Sequence, residues 1–198
     1  MTDPAVVGEP EAHRPSVQRK PLKYWEDLAQ APVRRFGPVT FSAVLLDHLL
    51  DLMGERHPIH DDADFASALD RPDRIVPGGF IHSITSGWTV QHGAPAAIVG
   101  MRSMRWNFVR PLPVGAPFYF TTETESAQIL DSRLGIVETV RRVTDDDGRA
   151  YAIGRLSVVV LRRPPDDANA PTTGTGHLPR ATLADVTAAP MQGKDSSR

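Results

Sequence analysis

The chain has 198 residues, 40% of them hydrophobic, a net charge of −2 and no cysteine. That length suits one domain with tails, and the near-balanced charge gives no general attraction to nucleic acid. Without thiols there is no thiolate catalysis, no disulfide and no Cys-ligated zinc, which fits a cytoplasmic protein.

Residues 1–20 are polar and proline-bearing, without the basic-then-apolar pattern of a secretory signal. Residues 164–198 are rich in Pro, Gly, Thr and Ala, with few large apolar side chains. Neither end can bury enough apolar surface to offset the entropy of ordering it, so both are expected to be disordered. The folded unit is expected over 21–163. No apolar run in the chain approaches the ~20 residues of a membrane-spanning helix.

The segment "LKYWEDLAQ" reads as a lead-in packed on the core, and "RRFGPVT" as a short extended piece broken by Gly37 and Pro38. Thr40 is placed to cap a helix in which Phe41, Val44, Leu45, Leu49 and Leu52 recur at helical spacing. Gly54 stands where a left-handed glycine ends such a helix. The next residues, "GERHPIHDD", hold two histidines and three carboxylates. Pro58 disfavours helical geometry at His57, so the stretch continues as a loop. Asp62 is placed to cap a short helix, "ADFASAL".

After the loop "RIVPGG" comes a helix, "GGFIHSITSGWTVQHG". Gly87 lies in its interior, where glycine costs about 1 kcal/mol relative to alanine. A helix that keeps it needs a sheet or a ligand close to the backbone there. The second half is β. Met104, Trp106 and Phe108 alternate onto one face, Phe118 and Phe120 alternate in the next run, and "DDDG" joins two further β-rich runs as a hairpin. Helices followed by four long consecutive strands indicate α+β with an antiparallel sheet.

On residue types alone, "GERHPIHDD" has three readings. It is an acid–base site, a metal site using His57 and His60 with Asp61, Asp62 or Asp64, or a polar loop. The metal reading lacks a third histidine at a ligand spacing. Arg102, Arg105 and Arg110 lie close in sequence and suit either an anionic small ligand or a solvated strand face. No Gly-x-Ser-x-Gly elbow occurs in the chain.

Three segments resemble, in order and spacing, the MaoC-like hydratase/dehydratase family, which includes the (R)-specific enoyl-CoA hydratases. Gly54-Glu55-Arg56-His57-Pro58-Ile59-His60 follows the family frame Gly-Asp-x-Asn-Pro-Ile/Leu-His. Arg74-Ile75-Val76-Pro77-Gly78, followed by Ser86-Gly87, matches the family loop Arg-Ile-Val-His-Gly and its Ser-Gly helix. "VRPLPVGAP", Val109 to Pro117, matches a family strand ending. The resemblance implies a hotdog fold over roughly 22–163: a curved antiparallel sheet wrapped around a central helix, with a helical overhanging segment. It also implies dimers or higher oligomers, with either an identical or a second hotdog subunit.

The implied activity is reversible hydration of an enoyl thioester to an (R)-3-hydroxyacyl thioester. His60 and Glu55 take the catalytic pair's positions. Gly78, with Gly79, takes that of the amide donor to the thioester carbonyl, and Ser86 and Gly87 take those of the supporting Ser-Gly. His57 and His82 are further supporting candidates. The substrate carries CoA or an acyl-carrier phosphopantetheine, and neither a metal nor a redox cofactor is implied. Glu55 stands where the family has aspartate, His57 where it has asparagine, and Pro77 where it commonly has histidine. A thioester hydrolase and a non-catalytic acyl-binding subunit are the alternatives on the same fold.

Overall fold

The computed structural model describes residues 21–164. The tails expected at 1–20 and 164–198, apart from Pro164, lie outside these residues. In chain order the elements are α1 (Trp25–Ala29), β1 (Arg34–Thr40), α2 (Ala43–Met53), α3 (Pro58–Asp61), α4 (Ala63–Ala68), α5 (Gly78–His92), β2 (Ile98–Phe108), β3 (Pro117–Ile129), β4 (Leu134–Thr144) and β5 (Ala150–Leu161). The strands form one antiparallel sheet of five, in the order β1-β3-β4-β5-β2. The expected hairpin is β4–β5, with Gly148 at φ +81° in its turn.

The piece "RRFGPVT" is more than a broken segment. It is β1, an edge strand whose register with β3 shifts between Phe36 and Val39. Gly37 makes the shift possible: it sits at φ +118°, and a Cβ there would lie 2.9 Å from the carbonyl oxygen of Phe118. Pro38, joined to it by a cis bond, has no N–H to offer a ladder, which an edge strand tolerates.

Thr40 does not cap α2, because it still pairs with Pro117 in the sheet. Phe41 is then buried in the core, and Ser42 caps the helix by accepting a hydrogen bond from the Leu45 amide at 3.1 Å. The buried stripe of α2 is Leu46 and Leu50, flanked by Leu45 and Leu49; Val44 and Leu52 point to solvent. Gly54 ends the helix at φ 66°, as its position suggested.

One side of the core joins Phe36, Phe118 and Phe120 of the sheet with Ile81 of α5, Val76 and Leu112. Another cluster gathers Val137, Val159 and Val160 under Trp25 and Leu28, so α1 is the packed lead-in segment expected. The Trp25 indole also donates to the Ile136 carbonyl at 3.0 Å. α5 lies on the sheet through Ile81 and Thr85, the two buried residues of that helix. No helix among the described residues is long and apolar enough to cross a membrane.

Candidate functional site

The three sequence segments singled out above converge. The Ile75 amide donates to the Ile59 carbonyl at 3.1 Å, and His60 Nδ1 donates to the Ile75 carbonyl at 2.7 Å. On the other side of the same segment, the Val76 amide donates to Leu112 O at 2.8 Å and the Val114 amide to Arg74 O at 2.9 Å. Residues 59–60, 74–76 and 112–114 are thus tied into one backbone frame. Arg74 adds a 2.6 Å ion pair to Asp47 on α2.

The frame sets the state of His60. A carbonyl only accepts, so Nδ1 carries the proton, and in the neutral ring Nε2 keeps its lone pair. The residue is half-buried. It sits in α3, a single helical turn where a plain loop was expected. The turn forms because Pro58 has the fixed φ that suits a first helical position, while His57 stays extended and caps it. The cap is the His57 Nδ1, which accepts from the Ile59 amide at 3.3 Å.

Glu55 is half-buried, and its Oε1 accepts from the His57 amide at 3.0 Å. No hydrogen bond joins Glu55 to His60 among the described residues. The two are linked instead through the turn each helps to hold. Asp51, one turn before Glu55, is exposed and pairs with Arg56, which also reaches Asp61 at 3.4 Å. Asp62 caps α4, as expected, through the amides of Asp64 and Phe65. No group of three or more His, Asp or Glu among the described residues is arranged to hold a metal ion.

Two residues beyond Val76, Pro77 leads into α5. The amides of Gly78 and Gly79 open the helix and donate to no acceptor among the described residues, so two first-turn donors and the positive end of the helix dipole face outward. A side chain at Gly78 would have to move the Phe108 ring. A Cβ there would press into the Phe108 ring, 2.7 Å from Cε1 and Cε2. A Cβ at Gly79 or at Gly87 would meet open space. Gly87 is therefore not pressed against the sheet. It lines a cavity of about 420 Å³ between α2 and α5, with Phe41, Leu49, Met53, Ile84 and Trp88 among the walls.

Ser86 faces the sheet. Its hydroxyl accepts from Arg141 Nη1 at 2.9 Å, and Thr85 accepts from the same nitrogen at 3.0 Å. Arg141 is 6% exposed and has no carboxylate partner among the described residues. Burial lowers its pKa to about 10, so it remains charged at neutral pH. An ion held this way carries a penalty of several kcal/mol, offset in part by the two hydroxyls and by the Phe120 ring, 5.8 Å from the guanidinium. Next to it is His82, whose pKa is lowered by burial and by the Arg141 charge. His82 meets Trp106 edge-on at 5.8 Å.

Arg141 and Thr85 were not among the residues singled out from sequence. The available signal was the pair Arg141-Arg142 within an alternating strand, where one of two neighbours must point inward. The loose arginine cluster resolves differently: Arg110 pairs with Asp145 at 2.7 Å and covers the Tyr151 ring at 4.0 Å, which is a structural role.

No family model matches the chain, and no curated protein sequence does. Solved structures match it well. An (R)-hydratase from A. caviae, involved in PHA biosynthesis, aligns with a TM-score of 0.55 and 22% identity, over 67% of this chain and 95% of that one. A MaoC-like dehydratase from Rhodospirillum rubrum aligns at 0.61 and 22%, over 72% and 99%. A Mycobacterium tuberculosis protein with a double hotdog fold aligns at 0.65 and 20%, over 73% of this chain and 46% of that longer one. The architecture is a hotdog fold, shared with MaoC-like dehydratases and (R)-hydratases.

Proposed function

We propose that this chain catalyses reversible hydration of an enoyl thioester to an (R)-3-hydroxyacyl thioester. The observation that carries the reading is the frame at Ile75. It fixes His60 with Nε2 as its free nitrogen, and its own chain continues within four residues into the free amides of Gly78 and Gly79. A base and an oxyanion donor are thereby held on one short, hydrogen-bonded segment, which is the pairing the reaction needs.

In the hydration direction, His60 Nε2 and the Glu55 carboxylate hold a water and take one of its protons. The water oxygen bonds to the β-carbon, and the alkene π electrons move to form an enolate. The Gly78 amide donates to the enolate oxygen. A proton then returns to the α-carbon, and the reverse sequence eliminates water. The reaction is redox-neutral, and CoA or an acyl-carrier phosphopantetheine enters as part of the substrate. Glu55 reaches one methylene further than an aspartate, and its hydrogen bond to the His57 amide folds that extra length back onto the turn.

A homodimer is part of the proposal. Among the described residues β2 is an edge strand paired only with β5, and it exposes Met101, Met104 and Phe108. Light scattering that returns a monomer at micromolar concentration removes this part.

The test is a panel of enoyl-CoAs, followed both for loss of the conjugated alkene and for release of free thiol. Alkene loss without thiol is expected, and it is expected to disappear in His60→Ala. Thiol release would assign a thioester hydrolase instead. Binding with neither reaction would assign a non-catalytic acyl-binding subunit. Undiminished hydration by His60→Ala would refute the role given to that residue.

A further inference from the structure

Helix α5 turns a second face, Gly78–His82–Ser86, toward the sheet, away from the cavity it shares with α2. The strand register orders what lies beneath it. Phe108 pairs with Ala152, and Ala152 with Val143; one row further, Trp106 pairs with Gly154, and Gly154 with Arg141. The Phe108 ring underlies Gly78. Gly154 has no side chain, and the Trp106 indole lies across it; a Cβ there would be 2.6 Å from Cε2 and Cζ2. Gly154 thus allows the indole to lean toward the Arg141 side. His82, on the helix, stands against Trp106 and close enough to Arg141 to feel its charge.

This niche is electrically incomplete. Arg141 is buried, and no carboxylate among the described residues pairs with it. Arg141 Nε, Trp106 Nε1 and His82 Nδ1 are all buried without a hydrogen-bond partner. Buried donors are normally satisfied, and a persistent exception calls for a reason. Anchoring the helix to the sheet is not a sufficient one, because an apolar side chain of similar size does that without the desolvation cost of a charge. Two unsatisfied N–H donors, one on a cation, beside the Ser86 hydroxyl, suit an oxygen-rich anion; the Thr85 hydroxyl already donates to the Ile81 carbonyl at 2.8 Å. His82 and Trp106 are each half-buried.

We propose that Arg141, with Ser86 and the Trp106 indole, binds a carboxylate at the far end of the substrate's acyl chain. The substrate class is then a carboxylate-bearing acyl thioester rather than a plain alkyl one. The inference rests on the reading above, in that it places the thioester carbonyl at the Gly78 amide. From Gly78 to Ser86 the helix rises about 12 Å; a hydrogen bond of about 3 Å at each end leaves roughly 6 Å, the length of a five-carbon diacid chain. To reach Arg141 the tail displaces the Phe108 and Trp106 rings that lie against the Gly78–His82–Ser86 face, and it exchanges the hydration of its carboxylate for the guanidinium and indole donors.

Calorimetric titration of the full chain with glutaryl-CoA and hexanoyl-CoA tests this, since both are saturated and differ only in the tail. The wild type is expected to bind glutaryl-CoA about ten-fold or more tighter, as one or two charge-assisted hydrogen bonds provide. Arg141→Met is expected to abolish or invert that preference. Trp106→Phe keeps an aromatic ring over Gly154 and removes the N–H, so it should weaken glutaryl-CoA several-fold and leave hexanoyl-CoA unchanged. It decides the matter even if Arg141→Met fails to fold. Equal binding of the two ligands by the wild type overturns the inference. So does an undiminished glutaryl-CoA preference in a folded Arg141→Met or in Trp106→Phe. Crotonyl-CoA hydration is measured in parallel. Hydration without the carboxylate preference sinks this inference and leaves the reaction standing; the preference without hydration does the reverse.

Discussion

Replacing Glu55 by glutamine separates the two things that side chain does. Its Oε1 accepts the His57 amide at 3.0 Å, and an amide oxygen of the same reach accepts that bond equally. Geometry is therefore kept and only the charge is removed. A charge-assisted hydrogen bond is roughly twice as strong as a neutral one, and the neutral bond is worth about 1 kcal/mol net. This site is half-exposed, so Glu55→Gln should cost no more than about 1 kcal/mol, a fall of about 2–4 °C in melting temperature. If the carboxylate shares the proton transfer, the rate should fall by about 10²–10⁴, or roughly 3–5 kcal/mol in the barrier. The assay is the initial rate of crotonyl-CoA hydration beside a thermal melt of the same sample. A folded Glu55→Gln within three-fold of the wild-type rate would show that Glu55 only shapes the turn. Glu55→Asp then reads out the extra methylene: a gain in rate means a poorly fitted acid, a loss means a pocket tuned to glutamate.

Other expectations follow from the same geometry. Gly78→Ala should cut hydration at least ten-fold, because its methyl displaces either Phe108 or the amide. Gly79→Ala, with open space at its Cβ, should fold and melt like the wild type; equal activity in both variants would remove the steric argument. Leu50→Ala empties a fully buried position and should cost about 2–5 kcal/mol, seen as a melting point lower by about 4–20 °C. His82 introduces a pH dependence of stability. Burial, then the Arg141 charge, holds its folded pKa below the 6.5 of the unfolded chain. Above pH 6.5 neither state binds the proton. As pH falls through 6.5 the unfolded state takes it up first, and stability is lost down to the folded pKa. Urea midpoints at pH 7.5 and 5.5 should differ less in His82→Gln than in the wild type; an unchanged difference would show that other groups carry it.

Elements whose identity depends on local chemistry were legible in the sequence. Gly54 ends α2, Asp62 caps α4, and the Asp-Gly turn joins β4 to β5, each for a reason confined to a few residues. The α2 cap was misplaced by two positions because Thr40 and Ser42 are equally good caps in isolation. What separates them is the pairing of Thr40 with Pro117, more than seventy residues away. β1 was underestimated for a related reason: Gly37 and Pro38 look like a break, and only the partner strand shows that the ladder absorbs them as an irregularity. At the candidate site, pattern alone singles out His60 and Gly78, and the contact that orients His60 is to a backbone carbonyl, which no residue type announces. Arg141 was passed over because a strand arginine is ordinarily solvated, and its burial depends on the glycine at 154 and the helix above.

The paired hydrogen bonds between residues 59–60 and Ile75 also determine how the protein would lose alignment without unfolding. The Ile75 amide is shielded only while it bonds Ile59, and His60 is oriented only while it bonds the Ile75 carbonyl. One local opening releases both, yet it leaves α5 seated on the sheet through Ile81 and Thr85. The exchange rate of a single backbone proton, at Ile75, therefore measures how often the imidazole comes adrift. Substitutions that accelerate that exchange while leaving the core amides untouched are those in which a folded population is present and the imidazole is out of position for part of the time.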